Sequence, residues 1–294
     1  MAIAVVLAFI MALITASSNV ILKKGFKEVP PLLAVYISVV ISTIFLWIAT
    51  YLFVPRYFFS NYKGILIFII IGSFAPNLVR TLTYLGIHRL GAGMAAPLRA
   101  LTPFFATIIA IRFLKESPKS IIFIGISLIV LGIIVLSKKD SRDFVHWRPV
   151  HFLYPLGAAF MAGVAANLRK YGLNLMPQAI FASAIAATSS LVFLSGYVMY
   201  KYDIRKSFRF IRCKHEFKLI IIASLLTACG EIVDLSALLF GKVSLVIPIF
   251  AATPLVIVFL SRIFLKEHEI VTARLMIATI LILCGIYMSI VSAL

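Results

Sequence analysis

The sequence predicts an all-α integral membrane protein, with ten transmembrane helices arranged as two inverted five-helix repeats. Three observations predict it: a composition too apolar for a water-facing surface, ten apolar segments of bilayer length, and an internal repeat at a fixed offset. Hydrophobic residues make up 63% of the chain and charged residues 13%; the mean hydropathy is +1.11. A soluble domain carries roughly 25% charged residues, so lipid must replace water over much of this surface.

The net charge of +18 does not point to nucleic acid. Of 28 Lys and Arg, 26 fall at helix ends or in loops, where they meet anionic headgroups, and only Arg80 and Arg99 lie inside apolar spans. A nucleic-acid binder gathers its charge on a soluble module, and no segment is long and polar enough to be one. The expected partners are therefore membrane lipids and a small-molecule substrate, with no cofactor. Cys213, Cys229 and Cys284 have neither disulfide nor metal-ligand spacing and read as small apolar filler. The five His lie in or beside loops, unpaired at metal spacing.

A helix needs about 20 apolar residues to cross the hydrocarbon core. The first segment, 2–22, looks superficially like a signal peptide, but it lacks a basic n-region and is long enough to cross, so it reads as a retained helix. Segment 32–54 is unambiguous, 64–86 carries a polar stripe, 92–113 carries two prolines, and 119–137 completes the first five. In the second five, 152–171 is interrupted by Asn167, 178–200 follows, 218–239 is weakened by Glu231 and Asp234, 243–264 again carries two prolines, and 270–291 is unambiguous. The chain thus divides into 1–137 and 152–294, joined by a basic linker loop at 138–151; the other long loop, 201–217, is basic too.

The repeat is direct. Residues 96–117 (APLRALTPFFATIIAIRFLKES) and 247–268 (IPIFAATPLVIVFLSRIFLKEH) share eight identities in 22 positions at an offset of 151, including Pro97/Pro248, Thr102/Thr253, Pro103/Pro254 and Glu116/Glu267. Lys23/Lys170, Gly25/Gly172 and Pro30/Pro177 match at an offset of 147. Five helices per half is an odd number, so the second half enters from the opposite side, an architecture common among secondary transporters, whose sites lie near the midplane between the repeats.

Ionisable residues inside the membrane are functional candidates by default. Arg80, Arg99, Glu231 and Asp234 qualify, and the 151 offset makes Arg80 and Glu231 equivalent, so they are expected to face each other or one cavity. Ser73, Asn77, Arg80 and Tyr84 are spaced 4, 3, 4; Ser224, Thr227, Glu231 and Asp234 are spaced 3, 4, 3. Each series lies on one helical face and must point into the bundle or a wet cavity. A structural salt bridge between the halves is the alternative, but it would not need the accompanying Ser, Asn and Thr.

Pro97, Pro103, Pro248 and Pro254 kink two helices at matched positions, each proline leaving a carbonyl one turn earlier without its donor. Thr102 and Thr253, each just before a proline, are placed to serve such groups. Matched interrupted helices point to a transporter's site; simple packing kinks are the other reading. Asn19 reads equally as interhelical glue and as substrate contact.

With P-x-x-A-x-T-P on the fourth helix of each half and FLKE just after it, the chain resembles the EamA branch of the drug/metabolite transporter superfamily. The resemblance covers nearly the whole chain and is most specific at 93–117 and 244–268. It implies inverted repeats around a central cavity, alternating access, and a substrate drawn from amino acids, nucleotide sugars, phosphorylated sugars and other metabolites. It also implies cytoplasmic termini. Lys and Arg near helix ends instead total 8 on the side of the termini and 18 on the other, which by the positive-inside rule places the termini outside.

The resulting expectation is a multi-pass protein of the cell or inner membrane, a secondary transporter of a small polar or zwitterionic, amino-acid-like metabolite. Arg80, with Arg99, would hold a carboxylate, and Asn77, Tyr84, Thr102, Thr227, Thr253 and Asn19 would complete the substrate site. Glu231 and Asp234 would hold an amine or carry a proton. A flippase for lipids or lipid-linked sugars would need a lateral opening. An enzyme would need a nucleophile and base, or clustered ligands, at membrane depth; no intramembrane His or paired Cys supplies them. One chain already contains both halves, so a monomer suffices.

Overall fold

The apolar segments become helices because lipid offers backbone groups no partner, and a helix satisfies them internally. The computed structural model describes residues 2–25, 31–55, 61–90, 92–137, 149–201, 214–265 and 273–293, and no strand occurs among them. In order the helices are α1 (Ala2–Gly25), α2 (Pro31–Phe53), α3 (Tyr62–Leu90), α4 (Ala92–Arg99), α5 (Thr102–Phe113) and α6 (Ile121–Ser137). They continue with α7 (Leu153–Leu175), α8 (Ala179–Lys201), α9 (Lys214–Phe240), α10 (Val243–Phe250), α11 (Thr253–Leu265) and α12 (Ala273–Ala293). Most of the linker at 138–151 and of the loop at 201–217, with Cys213 and Glu267, lies outside the described residues.

Among the described residues, seven helical spans are long and apolar enough to cross a bilayer, including Ala2–Ile21, Tyr62–Leu90 and Phe217–Phe240. Shorter apolar helices at Ile121–Val135, Val243–Ile257 and Met276–Ser292 fall within the three other expected segments. The chain is an integral, multi-pass membrane protein.

Helix pairing is reciprocal between the first and second parts of the chain. α1 packs on α9 as α3 packs on α7; α1 meets α11 as α7 meets α5; α3 meets α8 as α9 meets α2. Two pairs, α2 with α8 and α6 with α12, map onto themselves under the same exchange. Without a hydrophobic drive between helices in lipid, close backbone approach supplies the contact energy. At the α6–α12 crossing a Cβ on Gly125 would stand 2.7 Å from the Gly285 carbonyl, and one on Gly285 would stand 2.5 Å from the Gly125 carbonyl. At the α3–α8 crossing a Cβ on Gly72 would lie 2.2 Å from the Ala186 carbonyl.

The two proline motifs break their helices at equivalent places, α4 giving way to α5 at 100–101 and α10 to α11 at 251–252. Pro103 cannot donate to the Arg99 carbonyl, and Pro254 cannot donate to that of Phe250. In each case the preceding threonine takes over: Thr102 Oγ1 donates to the Arg99 carbonyl at 2.8 Å, and Thr253 Oγ1 to the Phe250 carbonyl at 2.6 Å.

The FLKE sequence after α5 also has a definite job. Lys115 adopts a left-handed backbone (φ 54°), which turns Glu116 onto the start of α10. The Glu116 carboxylate accepts from Val243 N at 2.8 Å, Ser244 N at 3.1 Å and Ser244 Oγ at 2.6 Å. It satisfies donors that a helix leaves unpaired and opposes the positive end of the helix dipole. Beside it, Lys170 Nζ donates to the Leu238 carbonyl at 2.7 Å, capping the last turn of α9.

Candidate functional site

A cavity of about 360 Å³ lies among the helices, within the range of small-molecule sites. Six of the residues singled out from sequence line it: Asn19 from α1, Asn77 and Arg80 from α3, and Thr227, Glu231 and Asp234 from α9. Arg80 and Glu231, equivalent under the repeat offset, therefore share one cavity. Neither makes a hydrogen bond or ion pair among the described residues. The charged groups nearest in effect to Glu231 are Arg169, Asp234 and Arg80.

Arg169 is a cavity residue that sequence reasoning missed. Sequence alone groups it with the helix-end cations, because the sixth apolar segment stops at 171 in a basic, Gly-containing stretch. The helix in fact runs on to Leu175, which puts Arg169 inside α7 and on the cavity wall. Its Nη1 meets Asp234 Oδ2 at 2.6 Å. Arg80 and Arg99 are thus not the only arginines within the spans. The signal available was the adjacent Lys170: neighbours on a helix point about 100° apart, so a basic pair spreads over two faces and one member can turn into the bundle.

The other predicted residues stand elsewhere. Tyr84 does not line the cavity and is 61% exposed on the outer surface of α3. The Arg99 guanidinium donates to the Thr102 hydroxyl within its own turn, outside the cavity lining. Thr102 and Thr253 spend their hydroxyl protons on the carbonyls at the two helix breaks. Pro97 lies inside α4 and Pro248 inside α10, while Pro103 and Pro254 open α5 and α11.

Much of the polar stripe is interhelical glue. Ser18 bonds the Ala223 carbonyl at 2.9 Å and Thr227 Oγ1 at 2.8 Å, Ser42 bonds the Ser224 carbonyl at 2.9 Å, and Ser73 meets Ser189 at 2.6 Å. Asn167 ties α7 to α5 through the Ala106 carbonyl at 3.0 Å. Among the described residues, no three His, Cys, Asp or Glu side chains gather at a possible metal site.

Membrane-spanning helices around a cavity lined by charged side chains make an architecture common among membrane transport proteins. The sequence profile of the EamA-like transporter family matches the chain twice, over residues 2–138 and 151–291, and the chain belongs to that family. No curated protein matches it. A crystal structure of another protein superposes over 99% of this chain and 97% of its own, with a TM-score of 0.76 at 15% identity. At that identity the likeness shows the fold alone.

Proposed function

We propose that this protein is a secondary active transporter of a small zwitterionic, amino-acid-like metabolite, working by alternating access and coupled to protons. The observation that carries the proposal is the pair Arg80 and Glu231: opposite charges at equivalent positions of the repeat, lining one cavity, neither bonded to a protein partner among the described residues. Ions at membrane depth are costly unless paired or wet. A solute bearing a carboxylate and an amine supplies both missing partners, with Asn19, Asn77 and Thr227 as neutral contacts. The cavity charges, Arg80 and Arg169 against Glu231 and Asp234, sum to zero, which suits a solute of no net charge.

The same reading makes the bundle ten spans in two inverted halves. Reciprocal helix pairing and two family matches support it. The breaks at 100–101 and 251–252 then act as matched hinges, each kept free of orphaned carbonyls by its threonine.

Glu231 is the proton carrier in this scheme. A stabilisation screen of metabolites on the purified protein names the substrate; proteoliposomes then test the coupling. Glu231→Gln should lose uptake driven by a pH gradient while the protein still inserts and folds. Gradient-driven uptake at the parent rate in that variant would remove Glu231 from the coupling role.

A further inference from the structure

We infer that Arg169 is an anion-binding residue of the cavity, taking a carboxylate of the transported solute, and that Asp234 is the residue that positions it. The inference deepens the transport reading and rests on the cavity being the transport site.

The geometry of the ion pair carries it. The two side chains meet through a single contact, Arg169 Nη1 to Asp234 Oδ2 at 2.6 Å. A guanidinium carries five N–H donors in a fixed fork and usually takes a carboxylate by two parallel bonds. Here the remaining donors have no partner among the described residues.

The exposure is lopsided as well. Asp234 is 7% exposed, whereas Arg169 is 35% exposed and lines the cavity. The acid is shielded while the guanidinium reaches the cavity, so its remaining donors are open to a solute there. The pair hides its anion and shows its cation.

One other acid lines the cavity and feels the Arg169 charge. Glu231, one turn before Asp234 on α9, lines the same cavity but makes no ion pair with Arg169. The rest of the cavity lining offers Arg80 on α3 and hydroxyls or amides on α1, α2, α3, α8 and α9. An anion entering the cavity therefore meets two guanidiniums, Arg80 free and Arg169 aimed by Asp234.

The test reads the sign of the cavity directly and needs no known substrate. Thr15 lines the cavity and lies 3.8 Å from where a Cβ on Gly230 would stand, next to Glu231. In full-length protein with Cys213, Cys229 and Cys284 changed to Ser, Thr15→Cys supplies one reporter thiol. Its labelling rates with a sulfonate-bearing and a trimethylammonium-bearing methanethiosulfonate reagent give an anion-to-cation ratio.

Arg169→Gln with Asp234→Asn removes both charges and strands neither, so it tests the proposal even if Arg169→Gln alone fails to fold. Arg169→Gln, which removes one positive charge, should lower the ratio about tenfold in a poorly screened cavity. The double variant, which removes a charge of each sign, should lower it by less, because the cation it loses is the partner exposed to the cavity. The ratio should rise in Asp234→Asn alone. An unchanged ratio in the folded double variant, or equal changes in both rates, would overturn the assignment and leave a purely structural pair. Proton coupling is read in Glu231→Gln, whereas this ratio is read in variants that keep Glu231, so the two readings fail separately.

Discussion

Replacing Glu116 by alanine removes one carboxylate and three hydrogen bonds from the start of α10. The two backbone donors belong to Val243, 0% exposed, and Ser244, 2% exposed, so water cannot readily replace the carboxylate. Losing an N-terminal cap costs about 0.5–2 kcal/mol, and each buried donor left unpaired costs about 1–3 kcal/mol. These estimates overlap, because they count the same bonds, and a net loss of about 3 kcal/mol is expected. Glu116→Gln keeps one acceptor but turns an amide N–H₂ toward a second donor, so it should fall between alanine and the parent. Unfolding in detergent, followed by tryptophan fluorescence, ranks the three proteins. At about 2 °C per kcal/mol for a chain of this size, the alanine variant should melt about 6 °C lower. A shift below about 1 °C would refute the capping role, and so would a glutamine variant less stable than the alanine one.

The remaining predictions use the same measurement. Thr253→Val leaves the Phe250 carbonyl without the hydroxyl now 2.6 Å away and should cost about 1–3 kcal/mol, while Thr253→Ser should cost far less. Valine no worse than serine would show that the helix break needs no substitute donor. Gly72→Ala would bring a Cβ within 2.2 Å of the Ala186 carbonyl, so α3 and α8 must part, at about 1–3 kcal/mol and with a changed cavity wall. A parent-like melting temperature there would mean the crossing is looser than its geometry.

Sequence carried the class of fold because the constraint behind it is simple: an apolar run must be long enough to cross lipid and must satisfy its own backbone. It also carried the helix breaks, since Thr102-Pro103 and Thr253-Pro254 create and repair the same local defect without help from distant residues. The site was legible only in part. The 4, 3, 4 spacing from Ser73 to Tyr84 fixed a helix face but not a depth, and the cavity ends before Tyr84. Arg99 looked buried because it lies in an apolar span, yet the break beside it gives its guanidinium a local partner in Thr102. Arg169 was hidden for the opposite reason. A basic pair near the end of an apolar run looks like an interfacial anchor, and only the extra turn of α7 puts it at cavity depth.

On the proposed transport reading, what the two parts of the chain share, and where they differ, separates moving parts from recognition. Prolines and threonines at the breaks are identical at an offset of 151, and each threonine makes the same bond to the carbonyl three residues earlier. The charged positions are not identical: Arg80 corresponds to Glu231, and Arg99 to Phe250, which lines the cavity where Arg99 does not. Alternating access asks the two halves to exchange conformations, so their hinges should be interchangeable. A zwitterion asks one end of the cavity to differ from the other, so its ligands should not be. Identical breaks around an Arg–Glu cavity meet both demands on a single duplicated scaffold, and that pairing of symmetry with asymmetry is what a purely structural salt bridge would not require.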